Sequence, residues 1–414
     1  MINMGKMDFS NTKFGIYMLP VGEGDCFYIQ LPCNENTVFR IMIDSGPVAS
    51  WNKVLKPFFE DLERCQLHID LLIVTHIDAD HIGGALRLFK DEHLRTLVNE
   101  VWFNDLRHIV PISSNVKTTA YSKSVYSQLA SSYHVNLTHP NESISAHQAH
   151  MLAELLEQTG TIWNNGSGSP ICAGMPCYTI APEIYIDILL PTKDALNNLY
   201  TYFSSQVNSI CMGTKVIAMP ESERAFELSL YCNQESNFRS QSIAGTIENL
   251  GEIAKWADKS PIPDNSVTNA SSIVICIRYF GKTVLFPGDA TSNDLIVALQ
   301  TWCNEVGHPL WFDIIKLPHH GSARNCLNLL DYIDGTYFLI STDGKKFSHP
   351  DKETLAKIVS RPVKPCTRRK LLFNYRNNKY ILFSEKASEE KYQYKALICD
   401  GFITFFDQEK HNGR

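Results

Sequence analysis

Four side chains with metal-binding chemistry lie within six residues of one another: His76, Asp78, Asp80 and His81. Imidazole nitrogens and carboxylate oxygens together suit zinc, manganese or iron ions. A charged loop that only caps a helix needs one aspartate at the cap and no histidine. The spacing therefore predicts a divalent-metal site, in which alternate residues of an extended loop point the same way.

Two further short motifs carry side chains of the same kinds. Asp289 follows Gly288, and a carboxylate there can bind one ion through each oxygen, although Gly-Asp alone more often marks an ordinary turn. His319 and His320 are adjacent, which is more than capping requires. Gly321 follows them and lets the backbone approach a ligand closely. These motifs are candidates for the rest of the ligand set.

Each of the three motifs comes directly after an apolar run with the composition of a strand. The runs are Ile69 to Thr75, Lys282 to Phe286 and Phe312 to Pro318. Continuous apolar runs are typical of strands that are covered on both faces. Because strand ends give a site rigid support, the sequence predicts an α/β fold that gathers the ligands at one edge.

The remaining patterns predict one domain with a long insertion. The domain spans residues 1–360, with a less regular insertion at about 105–265, of which 198–264 is interpreted as an insertion or lid. Residues 361–414 are expected to supply C-terminal strands that complete or extend the fold, at 371–373, 380–383 and 402–406. Helices are predicted at 55–65, 85–90, 149–159, 293–305 and 352–360, and a hairpin at 271–286.

Composition narrows the class of protein. The 414 residues are 44% hydrophobic and 20% charged, which is ordinary for a soluble globular protein. The net charge is -6, from 38 Lys and Arg against 44 Asp and Glu. Proteins that bind duplex DNA usually show a basic balance, so a nucleic-acid partner would need a local basic strip.

Targeting signals and cysteine usage indicate a cytoplasmic protein. Residues 1–9 hold no apolar run of signal-peptide length. No stretch reaches the roughly 18 uninterrupted apolar residues of a membrane-spanning helix. The 12 cysteines are scattered, mostly in apolar strand-like runs, which favours free thiols in a reducing compartment. We therefore expect no membrane partner.

The motif Thr75-His-Ile-Asp-Ala-Asp-His-Ile-Gly-Gly84 resembles the signature loop of the metallo-β-lactamase superfamily, His-x-(His/Asp)-x-Asp-His. The whole set is similar to the metallo-β-lactamase domains of the DNA-uptake channel ComEC and its soluble relatives. The resemblance covers residues 14–105 and 265–360 and implies an αββα sandwich with metals at one edge. The other matching pieces, in the family's order, are Val21-Gly-Glu-Gly-Asp25, Ile43-Asp-Ser-Gly46, Asn269-Ala-Ser-Ser-Ile, Phe286-Pro-Gly-Asp289, Leu317-Pro-His-His-Gly-Ser322 and Ser348-His-Pro350.

The resemblance also implies roles for individual residues, with two divalent ions, zinc or manganese, as cofactors. One of the two adjacent histidines completes the ligand set, His319 being favoured, and the other contacts substrate or donates a proton. Asp80 and His320 are expected to take part in catalysis. The implied metal ligands are His76 and Asp78 for the first ion, Asp80 and His81 for the second, Asp289 as a bridge, and His319.

Two departures from the superfamily pattern bear on the metal. Asp78 stands where the commoner loop has histidine, and an added oxygen ligand shifts preference toward harder ions such as Mn²⁺. The superfamily usually has a further histidine shortly before the Gly-Asp strand, but the segment of this chain that begins at Asn265 has none and holds Asn269 instead. The amide oxygen of Asn269 is a candidate to replace that histidine as a ligand. Asp44 and Asn269 are expected to support the ligands, Asp44 by orienting a ligand histidine.

The resemblance implies a metal-dependent hydrolase, and its DNA-linked branch favours phosphodiester substrates, either nucleic acid or nucleotide. Lys316, Ser322 and His349 are candidate substrate contacts, as is Arg324, although Lys316, Ser322 and Arg324 are equally typical of solvated loops. Two alternatives stay open. One is a small-molecule esterase or lactonase. The other is a partner-gated effector module of a bacterial defence system, with a protein partner at the insertion. The fold alone does not choose among them.

Overall fold

Two mixed β-sheets lie face to face in the computed structural model, which describes residues 13–109, 140–210, 253–303, 309–362 and 368–406. The first sheet has the strand order β15-β1-β2-β3-β4-β5-β6, and the second has β14-β13-β12-β11-β10-β9-β8-β7. Helices cover the outer face of each sheet. The predicted αββα sandwich is therefore confirmed.

The strands of the described ranges are β1 (Phe14–Met18), β2 (Phe27–Pro32), β3 (Val38–Ile43), β4 (Ile69–Ile73), β5 (Val98–Trp102), β6 (Ile162–Trp163), β7 (Tyr178–Ala181), β8 (Ile184–Leu190), β9 (Val274–Tyr279), β10 (Lys282–Phe286), β11 (Leu310–Lys316), β12 (Ile333–Ile340), β13 (Arg369–Phe373), β14 (Tyr394–Ile398) and β15 (Phe402–Phe406). The α-helices there are α1 (Lys56–Arg64), α2 (Ala79–Lys90), α3 (Leu106–Ile109), α4 (Pro140–Thr159), α5 (Lys193–Ile210), α6 (Ile253–Ala257), α7 (Val267–Ala270), α8 (Ser292–Trp302), α9 (Ala323–Cys326), α10 (Lys352–Ser360), α11 (Asn378–Phe383) and α12 (Lys386–Lys391).

The alternation of side chains along the strands explains the four layers. In β2, Phe27 and Ile29 face the second sheet, while Tyr28 packs under the helices on the outer face. Successive strand residues point to opposite faces, so apolar residues at every position bury both faces. The continuous apolar runs of the sequence thus indicate strands between two other layers.

Strand direction decides where the site is built. Strands β3 to β6 of the first sheet are parallel, and so are β10 to β14 of the second. The carboxyl ends of parallel neighbours meet at the same edge of a sheet. At this edge the two sheets are joined by a hydrogen bond of 2.8 Å from the amide of Ile273 to the carbonyl of Thr75. The loops after β4, β10 and β11 therefore meet.

The tail differs in one place from the expectation. Residues 380–383 were expected to form a strand, but they lie in α11, whose first turn is capped by the Asn377 side chain accepting a hydrogen bond of 2.9 Å from the amide of Tyr380. A four-residue apolar run cannot by itself distinguish a strand from a buried helix turn. Strand β15 is confirmed and pairs with β1, so the C-terminal segment completes the first sheet.

The region predicted as an insertion contributes to both sheets. Strand β6 pairs with β5, and β7 and β8 extend the second sheet beyond β9. Helix α4 packs on α2. Residues 110–139 and 211–252 lie outside the described residues, so the lid and the division into domains stay predictions. In the parts of the chain that the structure describes, no helix combines the length and apolar character needed to cross a membrane.

Helix α2 begins at Ala79, so the two glycines that were expected to precede a helix lie inside it. A Cβ atom on Gly84 would lie 2.1 Å from the carbonyl oxygen of Ser45. The Gly84 amide donates to Gly46 O at 3.0 Å, and the Ser45 hydroxyl accepts from the Ala85 amide at 2.8 Å. Glycine at this position lets α2 dock on the turn after β3.

We predict that Gly84→Ala destabilises the protein. Alanine gains up to about 1 kcal/mol of helix propensity over glycine, but overpacking against backbone that cannot move aside costs about 1–3 kcal/mol or more. The free energy of unfolding, measured in urea, should therefore fall. Arg87→Ala, at an exposed position of the same helix, should change it by less than about 0.5 kcal/mol. Equal values for Gly84→Ala and the parent would contradict the close packing.

Candidate metal centre

The loops after β4, β10 and β11 bring the predicted ligands to one buried point. His76, His81 and Asp289 each offer an atom within 4.8 Å of the other two. A second group of the same tightness contains Asp80, His81 and His320. The two groups share His81, so they form one cluster.

The distances place Asp289 at the centre of this cluster. Its Oδ2 atom lies 3.4 Å from His81 Nε2 and 3.9 Å from His320 Nε2. Towards the rim, Asp78 Oδ2 lies 3.6 Å from His76 Nε2. Asp80 Oδ2 lies 3.4 Å from His320 Nε2. A carboxylate between two groups of ligands is the arrangement expected of a bridge, and the bridging role itself stays a prediction.

Hydrogen bonds fix which nitrogen of each imidazole faces the cluster. Asp44 Oδ2 lies 2.8 Å from His81 Nδ1, and a carboxylate accepts, so Nδ1 carries the proton. Thr75 Oγ1 lies 2.8 Å from Asp44 Oδ2 and 3.0 Å from His76 Nδ1. The hydroxyl donates to the carboxylate and therefore accepts from His76. Both rings thus present an unprotonated Nε2 in their neutral form.

His320 also presents its Nε2 atom to the cluster. Its Nδ1 donates to the backbone carbonyl of Ser341 at 2.9 Å. The Nε2 atoms of His76, His81 and His320 are buried and have no hydrogen-bond partner among the described residues, and the same holds for Asp289 Oδ1. Buried polar atoms are costly when unsatisfied. Three converging imidazole lone pairs beside carboxylates fit a divalent metal ion, and the residues that would hold it are His76, Asp78, Asp80, His81, Asp289 and His320.

The charges of the cluster balance one another when no ion is bound. Burial by itself would raise the pKa of Asp289, but the charges of His81, His319, His320 and Lys316 lower it well below its usual value. Burial opposes charge on His320, yet the neighbouring carboxylates raise its pKa to about 10. Against the same effect of burial, the pKa of His81 is raised as well, by Asp289, Asp44 and Asp80, so protons on His81 and His320 offset the carboxylates, and a divalent ion can replace such protons.

The structure positions the two adjacent histidines differently from the sequence expectation, which favoured His319 as the ligand. The His319 side chain is 29% exposed, and its Nδ1 lies 3.8 Å from Asp289 Oδ2. His320 is buried and belongs to the cluster. Both residues have left-handed backbone, with φ of 46° and 54°, and this turn directs the second ring inward. The structure favours His320 as the ligand, and burial argues against its predicted role as a proton donor.

His319 is held at the rim by Asn269. The Nδ2 atom of Asn269 donates to Asp264 Oδ2 at 2.7 Å and lies 3.2 Å from His319 Nδ1. Because that nitrogen of Asn269 is a donor, Nδ1 of His319 accepts and the neutral ring carries its proton on Nε2. Asn269 therefore contacts His319 through its nitrogen, and its Oδ1 atom is buried without a hydrogen-bond partner among the described residues; its supporting role and its use as a substitute ligand stay predictions.

Lys316 does not occupy the position predicted for it. Its side chain is 1% exposed and forms an ion pair with Asp25, which excludes the expected contact with substrate. The ammonium donates to Gly288 O at 3.0 Å and lies 3.5 Å from Asp289 Oδ1. Asp25 Oδ1 lies 3.4 Å from His320 Nδ1. The ion pair therefore helps to hold the loops that carry Asp289 and His320.

Sequence patterns predicted no functional role for Asp25, although it ends one of the motifs that carried the resemblance. Its partner Lys316 is distant in the chain, so no local pattern connects the two. Asp25, Asp44 and His81 also lie within metal-binding distance of one another. That third group has its charge balanced by Lys316 and uses the Nδ1 side of His81, so we assign it to support of the ligands.

The remaining substrate candidates lie around the rim. Ser322 is 4% exposed, and its amide donates to His319 O at 2.9 Å. His349 is half-buried, with its ring 5.7 Å from that of His319. Arg324 points away, since its Nε donates to Ile262 O at 3.2 Å. Substrate contact by Ser322 and His349 stays a prediction, while Arg324 belongs to the packing of the 262–264 segment.

Two comparisons with known proteins bear on the fold family. The family model described as "Metallo-beta-lactamase superfamily" matches residues 19–128. The chain is 33% identical over 96 residues to ComE operon protein 3 of Bacillus subtilis (strain 168). That match covers 20% of this chain and 12% of the relative, so the chain spans a small part of the relative's length. Both findings confirm the resemblance inferred from the motifs.

We predict that Asp44→Asn weakens metal binding and leaves the protein folded. The asparagine amide can donate to His81 Nδ1, which moves the ring proton to Nε2 and removes the lone pair that faces the cluster. Loss of such an orienting partner typically costs about 10- to 100-fold in metal affinity. Competition with a chromophoric chelator measures the affinity for Mn²⁺ or Zn²⁺. The matched control is Asp70→Asn, which alters a carboxylate bonded to the Arg40 amide. Equal affinities in both variants would contradict the role.

We predict that Lys316→Met lowers the free energy of unfolding by about 3–5 kcal/mol, because it leaves the Asp25 carboxylate buried without its partner. The double variant Asp25→Asn with Lys316→Met should lose less than the two single variants together. Denaturant titration of all three variants gives the coupling free energy. Additive losses would mean that the two charges do not interact, and the burial of the pair would then lack an energetic role.

Proposed function

We propose, from the premise that this chain carries a metallo-β-lactamase domain with the ligand cluster of a metal-dependent hydrolase, that it hydrolyses phosphodiester bonds. The observation that carries the proposal is the convergence of three buried imidazole Nε2 atoms on the Asp289 carboxylate, beside the partly exposed side chains of Asp78, Asp80 and His319. The resemblance to a domain linked to DNA uptake supports a nucleic acid or nucleotide as the substrate.

When bound, divalent ions supply Lewis acidity and a water molecule that loses its proton near neutral pH. Two ions are proposed, as the resemblance implies: His76 and Asp78 would hold one, Asp80, His81 and His320 would hold the other, and Asp289 lies between the two groups. Oxygen ligands at Asp78, Asp80 and Asp289 favour manganese, and the imidazoles are equally suited to zinc. The Asp80 and Asp289 carboxylates would bind the ions. Their lowered pKa values keep them ionised, as metal binding requires, at neutral pH.

His319 is the side chain that we propose as the general acid. It lies at the rim, and Asn269 fixes its proton on Nε2. A leaving alkoxide of a phosphodiester needs a proton, and in this proposal Nε2 of His319 donates it. Positioned proton donors contribute about 10²–10⁴-fold to rate. Ser322 and His349 complete the rim on which the phosphate would lie.

A surface feature supports an anionic substrate over a neutral ester. The chain has a net charge of -6, yet the loop next to His349 exposes Lys345 and Lys346. Local positive charge at the mouth of an acidic protein attracts an anion and raises its encounter rate. A neutral ester or lactone gains nothing from these charges.

We predict that the protein loaded with Mn²⁺ or Zn²⁺ hydrolyses bis-para-nitrophenyl phosphate. His81→Ala and Asp80→Ala should lower kcat/KM by more than roughly 10⁴-fold, since each removes activation of the nucleophile along with a ligand. Asp194→Ala, which removes an exposed carboxylate of α5, should leave turnover unchanged. Circular dichroism of each variant confirms that the chain is folded.

A parallel assay with para-nitrophenyl acetate and a lactone tests the alternative. Turnover of these esters alone, lost in His81→Ala, would overturn the phosphodiester assignment and favour an esterase. If the metal-bound protein hydrolysed neither substrate class, the result would favour a module that needs a protein partner. Elemental analysis of the loaded protein accompanies both assays, so that loss of metal is not mistaken for loss of chemistry.

A further inference from the structure

The loop 343–350 between β12 and α10, called here the rim loop, is tied down beside the metal centre. Its Lys346 amide donates to Glu23 Oε1 at 2.6 Å, and the Asp351 amide that follows the loop donates to Gly321 O at 3.1 Å. A Cβ atom on Gly321 would lie 2.6 Å from Pro350 Cβ. The loop is thereby held against the turn that carries the two histidines.

A row of rings leads from the metal centre along this loop to solvent. The ring of His319 lies 5.7 Å from that of His349, which lies 6.2 Å from that of Phe347. The rings of His349 and Phe347 are inclined by only 31°. Phe347 is 49% exposed. A large aromatic side chain therefore presents a free surface two ring contacts from the proposed general acid.

Positive charge accompanies this ring. The Lys346 ammonium lies 4.5 Å from the centre of the Phe347 ring. Lys345 is exposed and lies 3.0 Å from Asp343 Oδ2. Arg376 is also exposed and precedes Asn377, whose Nδ2 donates to Thr342 O at 3.3 Å, next to the loop.

The nearby carboxylates are already engaged. Glu23 accepts from the Lys346 amide and from Thr342 Oγ1 at 3.2 Å. Asp351 accepts from the Ala323 amide at 2.7 Å. Hydrogen bonds from neutral donors hold these carboxylates in place and do not remove their charge. The positive charge nearest the exposed ring is that of Lys346, whose ammonium lies over it, and Lys345 and Arg376 are exposed nearby.

We propose that Phe347 and Lys346 form a nucleobase-binding ledge, on which the base next to the scissile phosphodiester stacks while its backbone phosphate lies near Lys346. Single strands are bound by such pairs of an aromatic ring and a cation, because every base has a flat face and every linkage a negative charge. A lone ring beside a lysine suits one base better than a lipid or an apolar peptide, which needs a larger apolar area. The ledge adds a substrate-binding site to the proposed function, and its role in the reaction rests on that function.

The test compares an adenine-rich single-stranded oligonucleotide with an abasic strand of equal length and charge. Phe347→Ala should raise KM for the oligonucleotide by about 5- to 100-fold, the range that corresponds to loss of one stacked base, with little change in kcat. KM for the abasic strand should not change. Phe347→Trp should restore the difference between the two strands. Phe280→Ala is the matched control, since Phe280 is 42% exposed at the far end of β10.

Lys346→Ala separates charge from stacking. It should weaken both strands to the same degree and lower the salt dependence of binding by about one charge. A dinucleotide tested beside the longer strand distinguishes a nucleotide from a polynucleotide as the ligand. Equal binding of both by the parent protein, with the same loss in Phe347→Ala, would assign the ledge to a nucleotide.

Fluorescence anisotropy with labelled strands gives the dissociation constants without turnover. If no phosphodiester is hydrolysed but Phe347→Ala loses binding of the base-bearing strand alone, the proposed function fails and the ledge stands. If strands are hydrolysed but Phe347→Ala affects the base-bearing and abasic strands equally, or affects neither, the ledge is overturned and the function stands.

Discussion

The hydrogen bond between Asp44 and His81 Nδ1, at 2.8 Å, is the contact on which the site depends. It determines the tautomer of the one histidine that belongs to both ligand groups. Asp44 itself has left-handed backbone with φ of 57°, which turns its carboxylate back toward Thr75 and α2. The turn after β3, the loop after β4 and the start of α2 are thereby fixed by a single carboxylate.

The second sheet also supports the ligands, because a buried ion pair holds their loops in position as Asp44 does in the first sheet. Lys316 at the end of β11 contacts Asp25, Gly288 and Asp289. A buried ammonium is tolerated because two carboxylates and a carbonyl surround it. Because Asp25 follows β1 and precedes β2, the pair also connects the two sheets at the edge that holds the site.

The buried part of the metal centre, called here the floor, differs in character from the rim. The floor consists of His76, His81, Asp289 and His320. The floor is buried and its polar groups are oriented by protein hydrogen bonds, so it is suited to hold ions rigidly. The rim consists of His319, His349 and the rim loop, whose rings and lysines face solvent. In the proposed function the floor would hold the ions, while the rim would supply the general acid His319 and the contacts with substrate, which is consistent with one fold serving many substrates.

The sequence alone determined the layered fold and the kinds of ligand, because both are encoded locally. Apolar residues at every strand position require cover on both faces, and histidines and aspartates after strand ends mark the edge where those ends meet. Only the tertiary structure shows that His320, and not His319, lies in the buried cluster, since that depends on two left-handed φ angles. It also decided the role of Lys316, because its partner Asp25 is remote in the chain. The helix at 378–383 was decided by the Asn377 cap, for which a short apolar run carries no signal. Contacts between distant residues set these outcomes, and a local pattern does not contain them.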